Sequence, residues 1–304
     1  MKHYLITGGT GLIGSALCRI LAAENNQITV LSRNPSSVEQ KCGDDIKAIQ
    51  CLNDIDDDTN IDVVINLAGE PIADKLWTKK RKTLLEQSRI DTTRCLVDWL
   101  ISRQQKPECL ISGSAVGWYG DGGDRLINEQ SQFHQEYTHS LCEAWEQQAI
   151  RAGQNGIRVC IVRTGLVLAP NGGFLQKMLL PFRMGLGGRL GNGQQYMPWI
   201  HIDDMVSLLT FLVENEQLKG VFNACSPSPV TNSEFTKTLA ALLNRPAFFH
   251  VPASFLRLLL GEMARLLLTG QRAIPAKLEA NRFKFNYTDL ESALSNILKI
   301  AMTK

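Results

Sequence analysis

His3-Tyr4-Leu5-Ile6-Thr7-Gly8-Gly9-Thr10-Gly11-Leu12-Ile13-Gly14 decides the fold. An apolar run passes directly into glycines at 8, 11 and 14, and an amphipathic run follows. That order describes a strand, a tight turn and a helix N-terminus. The first N–H groups of a helix lack partners within it, and the helix dipole is positive there, so a diphosphate can sit against bare backbone. Gly8 suits the turn, Gly11 leaves room for phosphates, and Gly14 lets the helix pack closely on the sheet. With Thr10, Leu12 and Ile13 these glycines form the first set of cofactor-binding candidates. An ordinary strand–loop–helix corner is the alternative for any spaced-glycine match.

Strand-like and helix-like runs alternate outward from this stretch. Strands are expected at 3–7, 27–31, 46–51, 63–66, 109–112 and 158–163, with helices at 12–24, about 80–103 and 138–152. Alternation of this kind implies a doubly wound parallel sheet of Rossmann type, an α/β fold with ligands beyond the carboxyl ends of the strands. Residues 170–197 are rich in glycine and read as a loop and short helix closing over a site. Helices at about 203–215, 232–243, 253–268 and 288–300 follow, with short strands near 221–223 and 248–251. The expected division is a dinucleotide-binding domain of 1–165 plus about 199–224. About 166–198 and 225–304 form a smaller, helix-rich substrate lobe.

The bulk numbers exclude several classes. Hydrophobic content of 44%, charged content of 20% and a net charge of +2 are those of an ordinary globular chain, with no whole-chain footprint for nucleic acid or membrane. The eight cysteines are scattered, with no C-x-x-C or zinc spacing, so no metal is expected and the thiols read as reduced and cytoplasmic. No signal peptide is expected before the first strand. Phe255 to Leu268 is interrupted by Arg257, Glu262 and Arg265, and is too short and charged to span a bilayer. Monomer and homodimer are both compatible with the sequence.

The end of the second strand selects the cofactor. An acidic residue there accepts from the 2′-hydroxyl of NAD, whereas a basic one pairs with the 2′-phosphate of NADP. The chain has Ser32-Arg33 at this point and no carboxylate along the sequence before Glu39. NADP(H) is therefore expected, with a solvated loop arginine as the alternative. Leu67-Ala68-Gly69 after the fourth strand lets backbone approach the cofactor ribose. Arg89 could reach cofactor phosphates or an anionic substrate, or form a surface salt bridge. Ser112, Arg163 and Thr164 close the crevice at the ends of the later strands.

The T-G-x-x-G-x-x-G spacing of Thr7 to Gly14 resembles the extended short-chain dehydrogenase/reductases, the branch of sugar-nucleotide epimerases and dehydratases. The resemblance implies hydride transfer assisted by a Ser/Thr, a Tyr and a Lys. Ser112-Gly113-Ser114-Ala115 through Tyr119-Gly120 is similar to the serine segment, and Ser114 matches the catalytic serine. The Tyr-x-x-x-Lys pair is missing. Tyr137 is followed at 141 by Leu, and no lysine lies between Arg125 and Arg151. Counting back from Glu146 puts the lysine position on Cys142 and the tyrosine position on Thr138. Tyr137, Tyr119 or His139 could stand in, and Tyr137 is taken with Ser114 as the catalytic set. A surface position is the more ordinary reading of His139.

Further phrases resemble one atypical subgroup, the YfcH-like "epimerase family" proteins. They include Asn66-Leu67-Ala68-Gly69-Glu70-Pro71-Ile72, Ser88-Arg89, Leu141-Cys142-x-x-Trp145-Glu146, Arg163-Thr164-Gly165 and Trp199-Ile200-His201-Ile202-Asp203-Asp204. Val251-Pro252 through Gly270-Gln271-Arg272 and Pro275 matches its C-terminal helical domain. The resemblance implies NADP-type binding, in a family that often lacks Tyr-x-x-x-Lys. Asp203 or Asp204 is expected to cap a helix, and His201 to pack structurally. Arg183, Arg189, Gln195, Gln271 and Arg272 are candidates for lining the cleft. The sequence thus leads to an NADP(H)-dependent, epimerase-like oxidoreductase acting on a small anionic compound. A cofactor-binding sensor without turnover is the alternative.

Overall fold

A computed structural model describes residues 1–302 of the 304. The first half runs β1 (His3–Thr7), α1 (Leu12–Ala23), β2 (Gln27–Leu31), α2 (Ser36–Cys42), β3 (Lys47–Ile49) and β4 (Val63–Asn66). It continues with α3 (Lys79–Glu86), α4 (Thr92–Ser102), β5 (Cys109–Ala115), β6 (Leu126–Ile127), α5 (Tyr137–Gly153) and β7 (Arg158–Thr164). The second half has β8 (Leu166–Leu168), α6 (Gly173–Arg183), β9 (Gly188–Leu190), β10 (Tyr196–Met197), β11 (Trp199–His201) and α7 (Ile202–Glu214). Then come β12 (Gly220–Ala224), β13 (Val230–Thr231), α8 (Asn232–Leu242), β14 (Phe249–Val251), α9 (Ala253–Leu260) and α10 (Arg265–Leu268). Last are β15 (Arg272–Ala273), α11 (Ala276–Ala280) and α12 (Leu290–Met302).

Seven strands form one parallel sheet in the order β12-β7-β5-β4-β1-β2-β3. The order reverses between β1 and β4, which opens a crevice above their carboxyl ends. Side chains alternate across the sheet as strand pleating requires. Ile6, Val30, Val63, Ile65, Ile111 and Val162 pack against α1 and α7 on one face. Leu5, Val64, Leu110 and Ile161 pack against α4 and α5 on the other. This is the doubly wound Rossmann-type α/β fold expected from the alternating runs.

A second core joins Leu175, Leu179 and Phe182 of α6 to Trp199, to Phe235 and Leu239 of α8, and to Leu294 and Ile297 of α12. β8 pairs with β11, and β9 with β14, outside the main sheet. Two expected helices are broken. The run at 80–103 is interrupted by a π-helical turn at Gln87–Asp91, a feature often found at functional sites. The run at 253–268 splits at Gly261, whose φ of +56° no ordinary side chain adopts readily. The N-cap of α7 is neither aspartate. His201 accepts the Asp203 amide at 3.1 Å, while buried Asp204 accepts the backbone amides of Asn286 and Tyr287.

Candidate functional site

The glycine turn is built for close approach. A Cβ on Gly8 would lie 2.5 Å from the Leu67 carbonyl oxygen, and one on Gly14 only 2.3 Å from that of Gly8. Gly8 also holds φ at +69°. α1 begins after Gly11 with no side chain capping its first turn. Its leading N–H groups therefore face the crevice with no side-chain partner, which suits a diphosphate. Thr10, Leu12 and Ile13 are half-buried on this turn.

Beneath the crevice lies a polar knot. Thr7 Oγ1 donates to Asn66 Oδ1 at 2.6 Å, and Asn66 Nδ2 donates to Thr93 and Ser112. Trp145 Nε1 donates to the same Thr93 hydroxyl. Ser112 is thus a buried support for the end of β4, a correction to its expected place in the crevice. Leu67 and Ala68 are fastened to Thr7, which fixes the backbone that meets Gly8.

Arg33 projects from the end of β2 with its side chain 87% exposed, and its Nη2 reaches Glu70 at 2.9 Å. Glu70 bridges it to the buried Arg81 at 3.1 Å. A carboxylate therefore does stand beside Arg33, delivered from the end of β4. Ser32 Oγ is turned into its own loop, bonded to Asn34. Arg89 lies in the π-helical turn and donates to the Glu70 and Leu85 carbonyls. Its guanidinium carbon sits 3.1 Å from where a Gly69 Cβ would be. Arg89 braces the Gly69–Glu70 turn through backbone carbonyls, whereas the expectations were a cation reaching phosphates or an anionic substrate, or a surface salt bridge.

The expected catalytic group is arranged differently from the sequence reading. Ser114 Oγ donates to Glu146 Oε1 at 2.6 Å. Arg163 grips both oxygens of Glu146 at 2.8 Å and stacks on Trp118, 3.5 Å from the ring centroid. All three side chains are buried, so Ser114 has its proton engaged and Arg163 does not reach the crevice mouth. Thr164, next along β7, is half-buried. Cys142 lies beside Ser114, and burial pushes its thiol up to about 12.

The two tyrosines considered in place of the absent Tyr/Lys pair both have phenols whose pKa is raised. Burial pushes the Tyr137 phenol up to about 12, with Glu86 adding to the effect. Its hydroxyl donates to the Lys82 carbonyl at 3.4 Å, while the Lys82 ammonium sits 4.2 Å from its ring centroid. Tyr119 is buried, donates to Asn223 at 2.7 Å and is likewise pushed up to about 12. His139 is fully buried against Phe133 and Trp118, a correction to its surface reading. Of the cleft candidates, Gln195 is bonded to the Leu190 and Leu267 carbonyls and Gln271 to that of Gly120. Arg183 and Arg189 are exposed.

Two hollows that share Glu262 and Arg265 lie by the C-terminal helices, and the smaller adjoins Tyr137. One of about 230 Å³ is lined by Trp77, His134, Tyr137, Thr138, Glu262 and Arg265. The other, about 520 Å³, shares Glu262 and Arg265 and adds Asp121, Arg257, Leu268 and Thr269. Neither hollow is lined by the glycine turn itself. Lys82 pairs with Glu262 at 2.6 Å, and Arg265 Nε with Glu136 at 3.0 Å, tying the roof of the hollows to α3 and to the start of α5.

Sequence reasoning missed Arg81 altogether, and named Asn66, Glu70 and Glu146 only within longer stretches, without the contacts they make. The local signal for Glu146 was a charged residue directly after Trp145 on a helix face that must be buried.

The model for the NAD dependent epimerase/dehydratase family matches residues 4–225, and that for a domain of unknown function, DUF1731, matches 251–297. An epimerase family protein of Staphylococcus saprophyticus is 40% identical over 301 residues, 98% of this chain and 100% of the relative. The crystal structure of human epimerase family protein SDR39U1 (isoform 2) with NADPH is similar at a TM-score of 0.88 and 33% identity, over 98% of this chain and 99% of that one. The UDP-glucuronic acid 4-epimerase of Bacillus cereus, solved with UDP-glucuronic acid and NAD, shares the fold at a TM-score of 0.77 and 16% identity, over 99% of each chain. This chain belongs to the NAD dependent epimerase/dehydratase family.

Proposed function

We propose that the protein binds NADP(H) above β1, β2 and β4 and uses it as an epimerase-like oxidoreductase on a small anionic carbonyl or hydroxyl compound. One observation carries the reading: a glycine cradle with no room for Cβ atoms lies beside an exposed arginine at the end of β2. The α1 N–H groups and Gly8 to Gly14 would hold the diphosphate. Arg33 would pair with the 2′-phosphate, and Leu67, Ala68 and Gly69 would flank a ribose. A bound nicotinamide supplies or accepts a hydride. The NADPH found with the human relative supports the phosphate-bearing form, while more distant neighbours hold NAD.

Among this chain's own residues, Trp77, Tyr137 and Arg265 border the place for a substrate. Arg257, in no ion pair among the described residues, borders the adjoining larger hollow and is its candidate anion contact, whereas Arg265 is paired with Glu136. Tyr137, with its phenol at about 12, is protonated at neutral pH and serves as a hydrogen-bond donor, not a base.

Arg33→Asp should weaken NADPH binding by about tenfold or more and leave NADH nearly unchanged, measured by titration calorimetry. Equal affinities of the parent protein for the two cofactors would refute the NADP assignment. The engaged Ser114 proton favours a second reading, binding without turnover. A carbonyl-compound screen of NADPH oxidation, run beside Ser114→Ala and Tyr137→Phe, separates the two. Turnover lost in Tyr137→Phe with NADPH binding intact supports the enzyme. Tight NADPH binding with no oxidation across all carbonyl classes supports the binder.

A further inference from the structure

The second lobe carries an apolar face that nothing among the described residues covers. Leu180 of α6, Met184 and Leu186 just after it, Phe248, Phe249, and Phe255, Leu258 and Leu259 of α9 are each more than half exposed. Phe248 is 89% and Leu258 86% exposed. Two stretches of chain bring these side chains together. β9 and β14 pair in parallel with Phe249 opposite Gly188. Before that pairing, a Gly185 Cβ would lie 3.7 Å from Pro246, and after it a Gly191 Cβ would lie 3.8 Å from Ala253. The stretches therefore run side by side from Gly185 to Gly191 and from Pro246 to Ala253, the first residue of α9. In α9, Phe255, Leu258 and Leu259 fall at i, i+3 and i+4 on the outward side, while Leu256 holds the helix to the core.

The charge on these stretches has one sign. Residues 180–195 and 243–261 contain Arg183, Arg189, Arg245 and Arg257 and no aspartate or glutamate. Arg183, Arg189 and Arg245 are exposed and in no ion pair among the described residues, while Arg257 lines the larger hollow beside Glu262. A net charge of +2 for the whole chain conceals this local excess. A second copy placed face to face would set arginine against arginine, which opposes self-association. An anionic bilayer surface meets both features, since it takes up exposed Leu and Phe side chains and attracts the arginines around them.

We propose that this face, centred on α9 and the β9–β14 pair, docks the protein onto the surface of an anionic lipid bilayer. No helix among the described residues is long and apolar enough to cross a membrane, so the contact is peripheral. The apolar side chains enter the headgroup boundary, and the arginines set the preference for negative lipids. The glycine turn is not part of this face and stays free to bind its ligand.

The test is co-sedimentation of the full chain with vesicles of phosphatidylcholine alone and of phosphatidylcholine mixed with phosphatidylglycerol. The bound fraction should be about tenfold greater on the mixed vesicles and fall at about 1 M salt, where the screening length shrinks to about 3 Å. Phe248→Ser combined with Leu258→Ser removes exposed side chains only, so it should fold, keep its NADPH affinity and lose vesicle binding. Three results would overturn the proposal. One is equal recovery with both vesicle types. Another is binding that the double variant leaves untouched. The third is a dimer seen by ultracentrifugation that the double variant dissolves, which would make a second copy the occupant.

Discussion

Glu70 is held from every side. Its amide donates to Ser88 Oγ at 3.0 Å, its carbonyl accepts from Arg89 at 2.8 Å, and its carboxylate lies between Arg33 and Arg81. The Arg33 contact, and then the Arg81 contact, holds its carboxyl below the usual carboxylate range. The residue is therefore a fixed anion beside the arginine assigned to the cofactor's 2′-phosphate. A ligand phosphate has to draw Arg33 away from it or share the guanidinium with it. An exposed pair of this kind is worth at most about 1 kcal/mol, or roughly fivefold in affinity. Glu70→Gln should tighten NADPH binding by up to about that factor and leave NADH unchanged, as read by fluorescence titration. Weaker NADPH binding would mean that Glu70 presents Arg33 to the phosphate instead of competing for it.

At the scale of elements, α5 carries a buried ion pair one turn beyond the expected lysine position. The helix brings Glu146 against the end of β7, where Arg163 and Ser114 meet it out of contact with water. Removing one partner of a buried ion pair leaves the other charge without compensation, at a cost of about 3–5 kcal/mol. Glu146→Gln should therefore lower the thermal midpoint by about 10 °C for a chain of this size, measured by calorimetry. A shift of only a degree or two would show that Arg163 finds other partners. The sequence made β1, the glycine turn and α1 legible, because period-2 and period-3.6 patterns are local and the glycines punctuate them. It could not show the π-helical turn, since one wider turn leaves the apolar pattern on either side intact. Nor could it show Arg33 beside Glu70, or Glu146 beside Arg163. Each is a meeting of chain ends set by strand order, and residues 37 and 17 apart carry no mutual mark. His139 read as a surface residue because its neighbours are polar. Trp118 and Phe133, which bury it, come from the segment before α5.

Across the whole molecule, the junction of the two cores depends on a histidine that must remain neutral. His201 caps α7 through Nδ1 and stacks on Tyr287, while Asp204 one turn away holds the Asn286–Tyr287 backbone. Burial lowers the His201 pKa, partly countered by Asp203 and Asp204. The unfolded chain therefore takes up this proton first as pH falls, and the stabilisation, complete above about pH 6.5, is lost below it. His201→Asn keeps a capping acceptor and removes the titration. The urea midpoint of the wild type should fall between about pH 7.5 and about pH 5.5, and the fall should be smaller in the variant. Parallel falls in both proteins would assign the pH dependence elsewhere.

The position of β12 has a consequence for how the chain comes to be folded. β12 is the outer neighbour of β7 in the main sheet, yet 55 residues separate the end of one from the start of the other. A growing polypeptide thus completes six strands and must then wait, with the flank of β7 unpaired, until residue 224 has left the ribosome. An open edge of this sort invites pairing with foreign strands. The intervening helix α7, which packs on the same sheet, emerges first and shields the nascent sheet's face while its last strand is still being made.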